Sequence, residues 1–111
     1  MNFNADKPIY LQIADSLSDR ILSGELKGED RLPSVRDYGA DIGVNPNTVM
    51  RVYERLTDDE VIYNKRGIGY FVSPDARDKI LSSKREEFLS KDVPAIKRRM
   101  ELLGLDSKIF D

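Results

Sequence analysis

The stretch GVNPNTVMRVYERL, residues 43–56, combines helix-starting residues with an apolar stripe of helical spacing. Asn45 is a strong N-cap, because its side-chain oxygen accepts a hydrogen bond from a free amide of the first turn. Pro46 fits the first helical position, where its missing N–H breaks no helical hydrogen bond. Val44 and Val49 have the spacing of a hydrophobic staple, which fixes the direction in which the chain enters a helix. The buried face is predicted to consist of Val49, Val52, Tyr53 and Leu56.

Small polar side chains and a cation occupy the outer face of this predicted helix. Asn47, Thr48 and Arg51 lie within one turn of each other. Amide, hydroxyl and guanidinium groups read base edges and bind phosphates in protein–DNA complexes. The same residue types are also ordinary capping residues at helix starts. The rest of the chain decides between these two interpretations.

An amphipathic segment near the start of the chain lies between Pro8 and Gly24. Proline is typical of the beginning of a helix, and glycine is typical of its end. Apolar side chains recur between them every four residues, namely Ile9, Ile13, Leu17 and Ile21. The segment predicts a first helix with one buried face.

A second, shorter helix is predicted at residues 35–42, after an extended piece at residues 32–34. Ser34 and Asp37 form an N-cap pair that is a shortened relative of the capping box. The helix is expected to end at Gly43. Two helices joined by such a turn, with polar residues at the start of the second, describe a helix-turn-helix.

A β-hairpin is predicted for the stretch VIYNKRGIGYFV, residues 61–72. Two β-rich runs flank Arg66 and Gly67, and the glycine supplies the positive φ that a tight turn needs. A hairpin that directly follows a helix-turn-helix forms a wing. The predicted fold is therefore mainly α with a small β-hairpin, a winged helix-turn-helix followed by a two-helix C-terminal tail.

The composition excludes several classes of function. The chain of 111 residues contains no histidine and no cysteine, so metal-dependent and triad-type catalysis lack their usual residues. We therefore expect no enzyme activity, no metal and no cofactor. The sequence has neither an apolar run of about 18 residues, as a membrane span needs, nor a secretory segment, so we expect a cytoplasmic protein. The net charge of −2 does not bear on DNA binding, because the positions of the cations matter more than their sum.

The run LPSVRDYGADIGVNPNTVMRVYERLTDDEVIYNKRGIGYFV, with PIYLQIADSLSDRILSGEL before it, resembles the N-terminal winged helix of GntR-family bacterial transcription regulators. The resemblance covers residues 8–72, and its most specific elements are LPSxR, GVNPNTV and RGxGxFV. The NPNT element and the short tail resemble the YtrA-type subfamily, whose members carry a brief helical dimerisation segment instead of a large effector-binding domain. From the length of the sequence we expect no such larger domain. The resemblance implies a DNA-binding domain at residues 1–73 and a dimerisation segment at residues 74–111.

The resemblance also implies DNA contacts in three elements: the start of the second helix, the outer face of the third helix, which is the recognition helix, and the wing that approaches the minor groove. The implied DNA-binding residues are Ser34, Arg36, Asn47, Thr48, Arg51, Arg66, Gly67 and Gly69. Two other cationic sites are interpreted as surface features. Arg55 is expected to pair with a nearby acid, Asp58 or Asp59. The basic cluster at residues 97–99 is expected to be a solvated helix face.

Three places depart from the family pattern. Gly28-Glu29 stands where the family commonly has Pro-Gly, Tyr38-Gly39 where it has Leu-Ala, and Glu60 where it has glycine. The first is expected to be a harmless turn variant. Gly39 costs about 1 kcal/mol inside a helix relative to alanine, so it predicts either a less stable helix or a recognition helix that packs unusually close. Glu60 predicts a differently shaped end of the third helix.

The tail has an apolar side but too few residues to enclose a core. The winged helix is one surface that could cover it, but a second copy of the tail buries more and generates a two-fold symmetric homodimer, which reads a palindromic operator in double-stranded DNA. The predicted dimerisation residues are Ile80, Leu81, Phe88, Leu89, Ile96, Met100 and Leu103. Pro94 is placed in the first turn of a second tail helix capped near Asp92, and one long helix kinked at Pro94 is the alternative.

These features predict a sequence-specific DNA-binding regulator, a dimeric repressor of a bacterial operon such as transporter genes. The alternative is a non-catalytic winged-helix module for protein–protein contact. The polar face of Asn47, Thr48 and Arg51 favours DNA, because a protein-binding surface is richer in exposed aromatic side chains. An enzyme is further disfavoured, since no glycine-rich loop resembles a phosphate cradle. The operator sequence and any small-molecule effector are not predicted.

Overall fold

The computed structural model describes residues 7–110. Its elements in chain order are α1 (Ile9–Leu22), α2 (Val35–Ile42), α3 (Pro46–Asp58), β1 (Ile62–Lys65), β2 (Gly69–Val72), α4 (Ala76–Glu87) and α5 (Val93–Leu102). A π-helical turn, Phe88–Asp92, joins α4 to α5, and a short 3₁₀ helix spans Ser107–Phe110. The fold is a mainly helical winged helix-turn-helix with an antiparallel hairpin and a helical C-terminal segment, which confirms the predicted class.

Helix α3 begins as the sequence predicts. The Asn45 side chain accepts a hydrogen bond from the Asn47 amide at 2.8 Å, and Pro46 is the first helical residue. The four residues of the predicted stripe are buried, with Val49, Val52 and Tyr53 fully inaccessible to solvent. The apolar face of α3 is therefore used entirely by the core, and its polar residues lie outside.

Helix α2 also has the predicted ends. The Ser34 hydroxyl accepts a hydrogen bond from the Asp37 amide at 3.1 Å, and Gly43 closes the helix at a φ of 69°. Gly39 lies against the turn that follows: a Cβ built on it would stand 2.7 Å from the carbonyl oxygen of Val44. Of the two consequences expected of this glycine, the structure supports the close packing of α2 against the start of α3.

Replacing Gly39 with alanine is expected to lower the free energy of unfolding by about 1–3 kcal/mol. Alanine is the better helix former by about 1 kcal/mol, but its Cβ meets a backbone oxygen that moves only together with the turn. The matched control is Ala40→Gly at the next, exposed position, which loses about 1 kcal/mol through helix propensity alone. Chemical denaturation followed by circular dichroism measures both, and a stabilised Gly39→Ala protein contradicts the packing argument.

The expectation that Glu60 changes the end of α3 is wrong. Glu60 itself takes the left-handed conformation, with a φ of 61°, that glycine usually adopts there. Its amide donates to the Thr57 carbonyl, and the Val61 amide donates to the Leu56 carbonyl, both at 2.9 Å, which is the Schellman pattern of helix ends. Glu29, at the other family glycine position, has a φ of 73°. The backbone shape is kept at both places, although the left-handed backbone conformation costs about 1–2 kcal/mol for a residue other than glycine.

The hairpin pairs β1 with β2 in antiparallel register, from Ile62 opposite Val72 to Lys65 opposite Gly69. The turn contains Gly67 at a φ of 79°, as predicted. A third stretch of chain extends the sheet, because the Leu32 amide donates to the Tyr70 carbonyl at 2.9 Å. This bond places the residues that lead into α2 directly beside the wing.

The described residues form two compact units, one that ends at Ile80 and one that begins at Leu81. The first unit extends beyond residue 73, because Ala76 and Ile80 are buried in its core, where Ile80 is 4% exposed. The prediction that Ile80 is a dimer contact is wrong, because its side chain is already covered by the core of its own unit. The core of this unit consists of Ala14, Leu17, Ile21, Leu32, Tyr38, Val49, Val52, Tyr53, Leu56, Val61, Ile62, Val72, Ala76 and Ile80.

The second unit contains the end of α4, the π-helical turn and α5. Asp92 does not cap α5: its backbone is helical, and its side chain makes no capping hydrogen bond. The alternative of one long helix describes the backbone better, because helical residues continue from α4 through the π-helical turn into α5. Pro94 has no N–H for the Ser90 carbonyl, and the wider π-helical turn before it relieves the clash that a proline ring causes in an α-helix. Among residues 7–110, we find no helix with the length and apolarity needed to cross a bilayer.

Candidate nucleic-acid interface

Tyr53 holds together the three elements that carry the predicted DNA contacts. Its hydroxyl donates a hydrogen bond to the Pro33 carbonyl at 2.7 Å, just before α2. Its ring centroid lies 6.3 Å from that of Tyr38 on α2 and 4.9 Å from that of Tyr70 on β2. Burial raises the pKa of Tyr53, so the hydroxyl remains a neutral donor. Tyr53 therefore contacts α2, Pro33 before it and the wing at once, and contributes to their positions relative to α3.

The outer face of α3 presents the predicted reading residues. Asn47 and Arg51 are exposed, and Thr48, beside them, is half-buried. Within the described part of the chain, the side chains of Asn47 and Arg51 make neither a hydrogen bond nor an ion pair. Their donors and acceptors are thus available to a partner from outside the chain.

Arg51 has one intramolecular contact that the sequence did not predict. Its guanidinium carbon lies over the ring of Tyr10 on α1, 4.1 Å from the ring centroid. Arg55, one turn later on α3, pairs instead with the carboxylate of Asp59 at 3.0 Å. The prediction that Arg55 is an ion-paired surface residue is confirmed.

Ser34 and Arg36 lie at the start of α2. The Ser34 oxygen is used as the N-cap acceptor, while its hydroxyl hydrogen remains available as a donor. The Arg36 guanidinium is exposed and has no ion-pair partner among the described residues. The free amides of a helix start favour anions, so a phosphate near Ser34 would meet both these amides and a cation.

The wing turn carries Arg66 at its exposed tip. The guanidinium of Arg31, next to the start of α2, donates a hydrogen bond to the Ile68 carbonyl at 2.7 Å. Gly69, beside this guanidinium, has a φ of 143°, a backbone conformation that residues with a side chain rarely adopt. Arg31 was not singled out from the sequence, although it directly precedes the LPSVR element. It fixes the turn that presents Arg66 and Gly67.

Exposed cations without carboxylate partners therefore recur across the three elements. On or next to these three elements the cations are Arg31, Arg36, Arg51, Lys65 and Arg66. Outside this group, Arg20 and Lys79 pair with Glu25 and Glu60, whereas Arg85 and Arg98 in the tail are also exposed without a carboxylate partner among the described residues. Cations that are not neutralised within the protein are suited to displace counterions from DNA phosphates. No cluster of acidic residues within residues 7–110 is arranged to hold a metal ion.

Comparisons with known proteins find that the chain is similar to bacterial transcription regulators. The family described as bacterial regulatory proteins, gntR family, matches residues 9–72. The HTH-type transcriptional regulator YhcF of Bacillus subtilis is 35% identical over 103 residues, which cover 93% of this chain and 84% of YhcF. The HTH-type transcriptional repressor YtrA of the same organism is 38% identical over 77 residues, which cover 69% of this chain and 59% of YtrA.

A solved structure extends the similarity over most of the chain. It is the crystal structure of a GntR-family transcriptional regulator from Bacteroides thetaiotaomicron, with 48% sequence identity and a TM-score of 0.78. The match covers 93% of this chain and 89% of that one. The likeness therefore includes the helical tail as well as the winged helix. In contrast, the chain matches less than two thirds of the length of YtrA.

Proposed function

Because this chain belongs to the GntR family of bacterial regulatory proteins, we propose that it is a homodimeric repressor that binds a palindromic DNA operator. The family relation makes the protein a transcriptional regulator with a DNA-binding winged helix. The observation that carries the finer proposal is the start of α3, where Asn47 and Arg51 are exposed with unpaired polar groups. In a helix-turn-helix, this end of the recognition helix meets base edges in the major groove. The name of YtrA as a repressor supports the sign of regulation.

The alternative function, a module for protein–protein contact, is less well supported by the exposed face of α3. Apart from Pro46 and Met50, the exposed residues of α3 are polar or charged. A protein-binding patch of this size is expected to contain aromatic or larger aliphatic anchors. We further propose that the protein is not an enzyme, needs no cofactor and acts in the cytoplasm, where bacterial DNA lies.

The second unit supports the proposed dimer. Large apolar side chains are exposed on it without cover from their own unit, among them Phe88 at 50%, Leu89 at 67% and Ile96 at 42%. Exposed apolar surface of this extent marks an interaction site. A second copy of the same surface would bury these side chains in a two-fold symmetric interface. Of the predicted dimer residues, Leu81, Phe88, Leu89, Ile96, Met100 and Leu103 remain in the proposal.

Selection of bound duplexes from a random pool tests the proposed function. A dimeric reader is expected to enrich an inverted repeat whose half-sites are centred about one helical turn, or 10 base pairs, apart. A single enriched half-site would contradict the dimer. A pool that shows no enrichment would contradict sequence-specific binding.

Arg36 and Arg66 are expected to contact phosphate or the narrow minor groove rather than base edges. Arg36→Ala and Arg66→Ala should then weaken binding on many sequences, and each should reduce the slope of log affinity against log salt by about one unit. Titrations of the selected duplex and of a random duplex at several salt concentrations measure both effects. Lys79→Ala is the control, because Lys79 is already paired with Glu60. An unchanged slope removes the arginine from the backbone contacts.

A further inference from the structure

We propose that Tyr10 is a positioning residue for DNA recognition, and that its ring holds the Arg51 guanidinium ready to read a base edge. The inference rests on the proposed function, in which Arg51 contacts DNA. It starts from one contact, the Arg51 guanidinium carbon 4.1 Å from the centroid of the Tyr10 ring. That contact joins α1, an element without predicted reading residues, to the recognition helix.

The Arg51 guanidinium carbon lies over the Tyr10 ring, at a distance that suits stacking of the guanidinium on the ring. The N–H donors of arginine lie in the plane of the group, so a group stacked on a ring keeps all of its donors available. A bidentate contact to the O6 and N7 atoms of guanine uses two of these in-plane donors. Within the described part of the chain, Arg51 donates no hydrogen bond and forms no ion pair. Tyr10 therefore restrains this side chain without occupying the groups that read DNA.

The ring is itself held in place. Tyr10 is half-buried on α1 and packs against the hydrophobic core of the first unit. A flexible arginine loses rotamer freedom when it is fixed on DNA, and a side chain already held in a suitable direction loses less. The attraction between the cation and the ring adds to this preorganisation. A fixed aromatic platform on α1 thus favours one orientation of a reading residue on α3.

Arg55 provides the contrast within the same helix. It lies four residues after Arg51, and its Nε donor is engaged by the Asp59 carboxylate at 3.0 Å. One donor of the Arg55 guanidinium is therefore occupied, whereas the described residues accept no hydrogen bond from Arg51. Of these two arginines, only Arg51 keeps all of its donors available to a partner from outside the described chain.

A double-mutant cycle with full-length protein tests the coupling. Tyr10→Leu keeps the apolar bulk and removes the π face, while Tyr10→Phe keeps both; each is measured with Arg51 and with Arg51→Ala. The ligands are the duplex enriched from the random pool and a random duplex, and circular dichroism melts establish that each variant is folded. Tyr10→Leu is expected to lower the affinity for the enriched duplex about 2- to 10-fold. The affinity for the random duplex should change less than about twofold. In the Arg51→Ala background, Tyr10→Leu should have no further effect on either affinity. Tyr10→Phe should bind as the parent does.

Three outcomes overturn the proposal, and they can be told apart. Equal losses from Tyr10→Leu with and without Arg51 mean that the two side chains act independently, while the proposed function stands. Losses from Tyr10→Phe on both duplexes mean that the hydroxyl contacts the DNA backbone instead. If Arg51→Ala alone binds the enriched duplex as the parent does, the reading role of Arg51 fails, and the positioning role of Tyr10 fails with it.

Discussion

Arg51→Ala is expected to lower affinity for the operator about 5- to 150-fold, which corresponds to about 1–3 kcal/mol for a good bidentate base contact. Binding to random duplex should remain nearly unchanged, because a base contact adds little to binding that depends on phosphates. The expectation follows from the position of Arg51 on the exposed face of α3, where its donors are not used by the described residues and its guanidinium lies over the Tyr10 ring. Asn47→Ala should show the same pattern, since its amide matches the N6 and N7 atoms of adenine.

The control for this prediction is Arg55→Ala. It removes the same charge from the same helix, but from a side chain paired with Asp59. Competition titrations on operator and random duplex should distinguish the two arginines. Arg51→Ala is expected to lower the affinity for the operator, whereas Arg55→Ala is expected to change it little. Equal losses on both duplexes for Arg51→Ala would assign it to the DNA backbone rather than to a base edge.

The helix starts and ends were predictable because they depend on neighbouring residues. Asn45, Pro46 and Gly43 each act within one turn, and the structure gives each of them its predicted role. The same holds for Ser34 and for Gly67 at the hairpin turn. Such rules depend on residues only a few positions apart, and these neighbours can be inspected directly in the sequence.

Contacts between distant residues were not predictable in this way. Arg51 meets Tyr10, and Arg31 meets the wing turn at Ile68, across separations that no spacing rule covers. Both pairs form only after α1, α3 and the hairpin have packed together. The sequence therefore predicts which residues contact DNA, while the contacts of Arg51 with Tyr10 and of Arg31 with Ile68 are visible only in the folded chain.

The boundary of the core was predicted incorrectly for a related reason. Ile80 has the same apolar character as the exposed residues that follow it, so composition does not separate the two groups. Only packing does: Ile80 is covered by the first unit, whereas Leu89 is 67% exposed. The predicted cap at Asp92 failed because a π-helical turn accommodates Pro94 without breaking the helical backbone.

Loss of the second unit is expected to convert the protein into a monomer and to lower operator affinity by about 10²- to 10⁴-fold. When two DNA-binding domains are linked in a dimer, binding of the second domain to its half-site is an intramolecular event. The resulting gain in effective concentration disappears when the two domains separate. A fragment of residues 1–80 is the suitable truncation, because the first unit ends at Ile80. A fragment that ends at residue 73 would also lose Ala76 and Ile80 from the core, where they are 1% and 4% exposed. Burial of a large aliphatic side chain contributes about 1.5–3 kcal/mol, a large share of the stability of a small domain.

Phe88→Glu in the full-length chain should reproduce much of this loss. The substitution places a charge in the proposed interface, where burial without a partner is unfavourable, and it leaves every proposed DNA contact unchanged. Ser83→Glu, which adds the same charge at an exposed position of α4, is the matched control and should remain dimeric. Sedimentation combined with operator titration measures assembly and affinity on the same samples. If the fragment and Phe88→Glu both stay dimeric and bind as the parent does, the dimer is built from the winged helix, and the exposed apolar residues of the tail serve another partner.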